Sequence, residues 1–115
     1  MPPREQLLLD EMIEAAEEAQ RLVRGRDAIS VAADRRSRDA LLWNFTVLGE
    51  AASQLPEPFK AAHPGVNWAR PSRLRNRIVH GYWSIDIDIL WATATDDLPA
   101  FVAQLREVAG GLAAD

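Results

Sequence analysis

Apolar side chains recur every three or four residues through most of this chain, and that period confines the backbone to helix. Between Arg4 and Arg24, Leu8, Met12, Ala15, Ala19 and Leu22 form one stripe, with Glu14, Glu17 and Glu18 largely off it. Gly25 follows Arg21 and Arg24, which suits a helix C-terminus: glycine accepts left-handed backbone and cations offset the negative end of the helix dipole. A helical turn is expected over Asp27 to Ala33, then a second long helix from about Arg35 to Leu55. Its buried face would carry Leu41, Phe45, Leu48, Ala52 and Leu55, and Pro56 and Pro58 would end it. Gly49 inside that helix costs roughly 1 kcal/mol relative to alanine, so another helix is expected to approach closely there. Glu50 beside it is either a buried partner for an arginine or an exposed carboxylate on the polar face.

One further turn is expected over Pro58 to His63, followed by a His63-Pro64-Gly65 loop. Helix resumes near Trp68 or Pro71, since proline fits a first turn, and runs to about His80 before Gly81 breaks it. Asp86 or Ser84 can cap a final helix on which Ile87, Leu90, Trp91, Ala94, Leu98, Phe101, Leu105 and Val108 keep helical spacing. That helix is expected to kink at Pro99 and to end at Gly110-Gly111. Four main helices with short connections predict an all-α antiparallel bundle, a single domain over residues 1–115, without strands or repeats.

Composition narrows the chemistry. The chain has no cysteine, which excludes disulfides and thiolate metal sites and fits a reducing cytoplasm. Its two histidines, His63 and His80, stand far apart in sequence, so a zinc site has little support. No segment approaches the roughly 18 to 20 apolar residues of a membrane span, and no glycine-rich phosphate loop or nucleophile elbow occurs. A net charge of -4 argues against a polyanion binder held by bulk electrostatics. Arginines nevertheless gather between Arg21 and Arg38, and again at Arg70, Arg73, Arg75 and Arg77. The second group leaves room for a local phosphate site, whereas the first reads as solvated helix faces. The pairs Asp86/Asp88 and Asp96/Asp97 read as a helix start and a solvated turn, not as a catalytic carboxylate pair.

The chemistry concentrates in Arg75-Asn76-Arg77-Ile78-Val79-His80-Gly81-Tyr82. Asn76 and His80 share a helix face, and Arg75 lies about 140° around the helix from His80. Imidazole exchanges protons near neutral pH, its ordinary pKa being about 6.5. A guanidinium can grip a phosphate with two hydrogen bonds and stabilise charge on pentacoordinate phosphorus. RNA carries its own nucleophile in the 2′-hydroxyl, so a histidine and an arginine suffice to cleave it without a metal. The competing reading is that cations in a last helical turn merely complement the dipole. Tyr82, Trp83 and Trp68 are either stacking surfaces for bases or core aromatics, with core the expectation for both tryptophans.

That segment resembles the Arg-Asn-x-x-x-His-x-Tyr signature of the HepT-like family of HEPN-fold toxins. The likeness extends over Asn44-Phe45-Thr46-Val47-Leu48-Gly49-Glu50-Ala51, His63-Pro64, Trp68, and Ile85-Asp86-Ile87-Asp88-Ile89-Leu90-Trp91 with Asp97-Leu98-Pro99, most of the chain from about residue 40 onward. The N-terminal third is similar only as an amphipathic helix. The resemblance implies a HEPN-like homodimer whose motif helices line a shared cleft, acting as a metal-independent, cofactor-free endoribonuclease that leaves a 2′,3′-cyclic phosphate. It makes Arg75 and His80 the catalytic pair and puts Asn76, Arg77 and Tyr82 at the substrate. It also implies a toxin–antitoxin pairing with a minimal nucleotidyltransferase that silences the toxin by transferring AMP to Tyr82. Three positions depart from the pattern: Trp43 stands where the family often has arginine, Thr46 where it often has an acid, and Pro71 is expected to shorten the start of the motif helix. The alternative, motivated by the acidic net charge, is a non-catalytic module that binds a nucleotide or docks the nucleotidyltransferase.

Overall fold

A computed structural model describes residues 3–114, with side chains through Leu112. Helix accounts for every regular element among them: α1 (Arg4–Val23), α2 (Ala28–Ala33), α3 (Arg35–Gln54), α4 (Glu57–Ala62), α5 (Ala69–Gly81), α6 (Ile87–Ala92) and α7 (Leu98–Ala114), with a π-helical segment (Thr93–Asp97) joining the last two. The all-α expectation holds. α1 packs between α3 and α7, and α5 lies along α3. Leu9, Met12, Val31, Leu41, Phe45, Leu48, Leu90 and Leu105 are the largest fully buried side chains at the centre. No described helix is long and apolar enough to cross a membrane.

Local chemistry explains most boundaries. Gly25 has φ +70° just beyond α1, the left-handed conformation expected of it. Asp27 caps α2 by accepting from the Ser30 backbone N–H at 2.8 Å, and Asp86 caps α6 through Asp88 N–H at 2.9 Å. Pro71 sits within the first turn of α5, so the helix already starts at Ala69 and is not shortened.

The C-terminal helix differs from expectation twice. Proline cannot donate a backbone hydrogen bond, and its ring collides with the carbonyl four residues back. The chain meets this at Pro99 by widening to a π turn over Thr93–Asp97, where Leu98 N–H reaches back to the Thr93 carbonyl. Asp96 and Asp97 therefore lie inside a continuous helical run, not in a solvated turn. Gly110 and Gly111 do not stop α7, which runs on to Ala114 with Leu112 packed against the core. The glycine cost is small beside that burial.

Arg26 ties α2 to α3. Its guanidinium donates to Ser37 Oγ at 2.6 Å and to the Ser30 carbonyl at 3.1 Å, and lies 3.3 Å from the Asp34 carboxylate. Asp34 also accepts from Ser37 Oγ at 2.9 Å, and that bond holds its carboxyl below the ordinary carboxylate range. A folded-state pKa lowered in this way stabilises fully above the unfolded value and is lost as pH falls through the folded one. Thermal stability should therefore fall on acidification from about pH 5 to about pH 2 more steeply in the wild type than in Asp34→Asn. Parallel melting curves over that range would show otherwise.

Candidate active site

The site is built on the crossing of α3 and α5. α5 buries Pro71 and Ile78. On the facing side of α3, a Cβ at Gly49 would overlap both Arg75 Cβ and the Pro71 carbonyl oxygen. The helices thus meet where only glycine fits, the close approach expected at this position.

That contact fixes Arg75. Its stem lies against Gly49, one terminal nitrogen is 3.1 Å from Glu50 Oε2, and the other donates to Asn76 Oδ1 at 3.0 Å. Glu50 is held in turn by Gln54 Nε2 at 3.0 Å, and Gln54 Oε1 accepts from Arg4 at 2.6 Å. Glu50 thus pairs with an arginine but is not buried, its side chain being 45% exposed, so it falls between its two readings. Arg75 Nε is buried without a hydrogen-bond partner, an unsatisfied donor on a cation, which is costly unless something else accepts from it.

His80 is exposed in the last turn of α5. Helical geometry sets it on the outward face with Asn76, about 140° from Arg75, so within one chain the arginine and the imidazole project from different sides. Arg77, also exposed, falls on the flank that carries Arg70, about 200° around from Arg75. Arg70 is occupied by Asp97 at 2.6 Å. The motif residues share a helix, but the single chain does not gather them around one point.

Gly81 continues α5 instead of breaking it, with no positive φ. The chain leaves only after Tyr82 and Trp83, in a turn closed by Ser84 N–H to the Gly81 carbonyl at 2.9 Å. That turn lifts both rings into solvent: Tyr82 is 62% and Trp83 76% exposed, with ring centroids 5.2 Å apart in an edge-to-face pair. The core role expected of Trp83 is therefore overturned, whereas Trp68 is buried as expected and donates its indole N–H to the His63 carbonyl at 3.0 Å. His63 packs against Phe59 with ring centroids 4.8 Å apart and the rings tilted by 50°, and belongs to that structural cluster. Among the described residues, no three His, Cys, Asp or Glu side chains come together as a metal site would require.

Tyr82 and Trp83 line a groove of about 710 Å³ with Arg35, Arg38, Asp39 and Trp43 of α3. Sequence reasoning did not find this groove. Its only signal was the wide separation of arginines and aromatics that the α3–α5 crossing brings together.

The family model described as "Ribonuclease HepT-like" matches residues 12–108. The chain belongs to the ribonuclease HepT-like family. A Thermococcus cleftensis protein named as a probable ribonuclease HepT is 29% identical over 98 residues, covering 85% of this chain and 86% of its own. A Methanocaldococcus jannaschii protein named as a candidate RNase is 31% identical over 75 residues, covering 65% of this chain and 62% of its own. No solved structure matches significantly. The HepT-like resemblance drawn from the motif is thus borne out at the level of the family.

Proposed function

We propose that this protein is a metal-independent endoribonuclease toxin acting as a homodimer, with Arg75 and His80 as its catalytic pair. The observation that carries the reading is the state of Arg75. It is a guanidinium clamped by Gly49, Glu50 and Asn76, with a buried unbonded Nε–H, on the helix that exposes His80. Holding a cation in one geometry prepares it for charge that appears only in the transition state. The family and the names of the relatives supply the substrate class, RNA.

In this reading the 2′-oxygen bonds to phosphorus as the bond to the 5′-oxygen breaks, leaving a 2′,3′-cyclic phosphate and a 5′-hydroxyl. One imidazole accepts the 2′-hydroxyl proton and another donates a proton to the departing 5′-oxygen. In-line displacement puts those two groups on opposite sides of phosphorus, and one motif supplies only one histidine. A second copy supplies the other, which is the physical support for a dimer with a shared cleft. Arg75 stabilises the charge on the phosphoryl oxygens, while Asn76, Arg77 and Tyr82 position the strand.

Tyr82 is exposed on the same helix end, so its hydroxyl is open to AMP transfer by a minimal nucleotidyltransferase partner. An added adenylate would block RNA by bulk and negative charge. The test is cleavage of end-labelled RNA by purified protein in excess EDTA, with intact mass read at Tyr82. We expect cleavage that survives chelation and leaves cyclic phosphate. No cleavage by protein of unmodified mass would sink the proposal in favour of a non-catalytic binding module, a reading that the net charge of -4 and the Glu50 carboxylate on Arg75 favour.

A further inference from the structure

The groove beside the motif has a composition that the proposed chemistry does not explain. Trp43 is 65% exposed on α3, facing the equally open Tyr82 and Trp83, and exposed aromatic surface of this kind marks a binding site more often than it is left idle. Arg35 and Arg38 line the same groove and share a single carboxylate, Asp39, at 3.4 and 3.5 Å. The groove therefore carries excess positive charge on a chain whose total is -4.

Its position links it to Arg75. Arg75, Val79 and Tyr82 fall along one flank of α5, and Trp43 and Glu50, seven residues apart, fall along the facing side of α3. A strand gripped at Arg75 and followed along this seam runs into the aromatic groove, with Arg38 about 18 Å of helix beyond Glu50.

Resting on the ribonuclease reading above, we infer that this groove is a subsite for unpaired nucleobases, stacking them on Trp43 and Trp83 while Arg35 and Arg38 hold the flanking phosphates. The substrate class follows. Bases inside a duplex hide their faces from a protein ring, whereas bases of loops and single strands can splay out and stack. The groove's volume lies within the range of small-ligand pockets, which fits one or two nucleotides and not a helix. A second copy of this chain is the other occupant that an aromatic surface can suit. The unbalanced guanidinium charge favours RNA, because a self-complementary contact would set like charges near each other.

The experiment uses the full chain carrying His80→Ala, so that RNA stays intact, and reads anisotropy of a labelled unpaired oligoribonucleotide and of the same strand annealed to its complement. The single strand should bind at least about tenfold tighter than the duplex. Trp43→Ala and Trp83→Ala should each weaken it roughly five- to hundredfold, the range of one stacked base. Trp43→Phe and Trp83→Phe, which keep a ring, should retain most of the affinity, and this separates stacking from misfolding. Arg38→Glu should weaken binding more at low salt than at high salt. Unchanged affinity in both alanine variants overturns the subsite, as does a loss of dimer in sedimentation without loss of RNA affinity, which would assign the face to a second copy. Tryptophan-dependent binding of single strands by a wild type that cuts no RNA would leave the subsite standing and sink the ribonuclease. Cleavage by the wild type, together with unaltered binding in the two tryptophan-to-alanine variants, would do the reverse.

Discussion

Replacing His80 by alanine removes the imidazole from both copies, proton acceptor and donor alike, and should lower RNA cleavage by at least about 10² to 10⁴, the usual contribution of one positioned proton-transfer group, while the protein stays folded and dimeric. The structure makes this a clean substitution. His80 is exposed in the final turn of α5 and is absent from the core that Ile78 and Pro71 anchor. Even a side chain that complements the helix dipole at a C-terminus contributes only about 0.3 to 1 kcal/mol, too little to unfold a domain of this size. A large activity loss with a near-normal melting curve and sedimentation profile would therefore report on proton transfer. A folded His80→Ala protein that cuts RNA at the wild-type rate would remove the central claim, and neither Arg75 nor the groove could rescue it.

How much of this was legible in the sequence depends on the range of the interaction involved. Helices were readable because their signals are local: the spacing of Leu41, Phe45 and Leu48, the φ-tolerant Gly25, and capping by Asp86. Gly49 was readable as a contact point because an interior glycine has few other uses, but the identity of its neighbour, Arg75, came only with the crossing of α3 and α5. The same crossing gave Glu50 a guanidinium 3.1 Å away while leaving its side chain 45% exposed, a mixture of its two readings that no local signal could show. Local rules failed where packing outweighed them. Gly81 and Gly110-Gly111 stayed helical, and Pro99 was accommodated by a π turn that no local signal announced. Trp83 was misjudged because hydrophobicity alone says a tryptophan is buried, while the turn at Ser84 puts it in solvent. The candidate site divides the same way: its motif is contiguous and could be read directly, but the groove joins residues from two distant segments and could not.

Gly49→Ala should destabilise the protein and impair cleavage together, and the reason lies in what the new methyl group meets. It would overlap the Arg75 Cβ and the Pro71 carbonyl oxygen, neither of which is the free end of a flexible side chain. The helices must therefore part or shift along each other. Overpacking of this kind costs about 1 to 3 kcal/mol, occasionally more, against a gain of about 1 kcal/mol from alanine's helix propensity. Separation of α3 from α5 also moves Arg75 relative to Glu50, and a displacement of about 1 Å in a positioned catalytic group can cost about 10²-fold in rate. Gly110→Ala provides the contrast, because a Cβ there meets nothing within 4 Å. With propensity alone acting, that variant should gain up to about 1 kcal/mol and cut RNA normally. The two substitutions are chemically identical and both lie within helices, so opposite signs in their melting temperatures would isolate packing at the α3–α5 crossing. A Gly49→Ala protein as stable and active as Gly110→Ala would mean that the crossing is compliant, and that the clamp on Arg75 is not what prepares it for the phosphate.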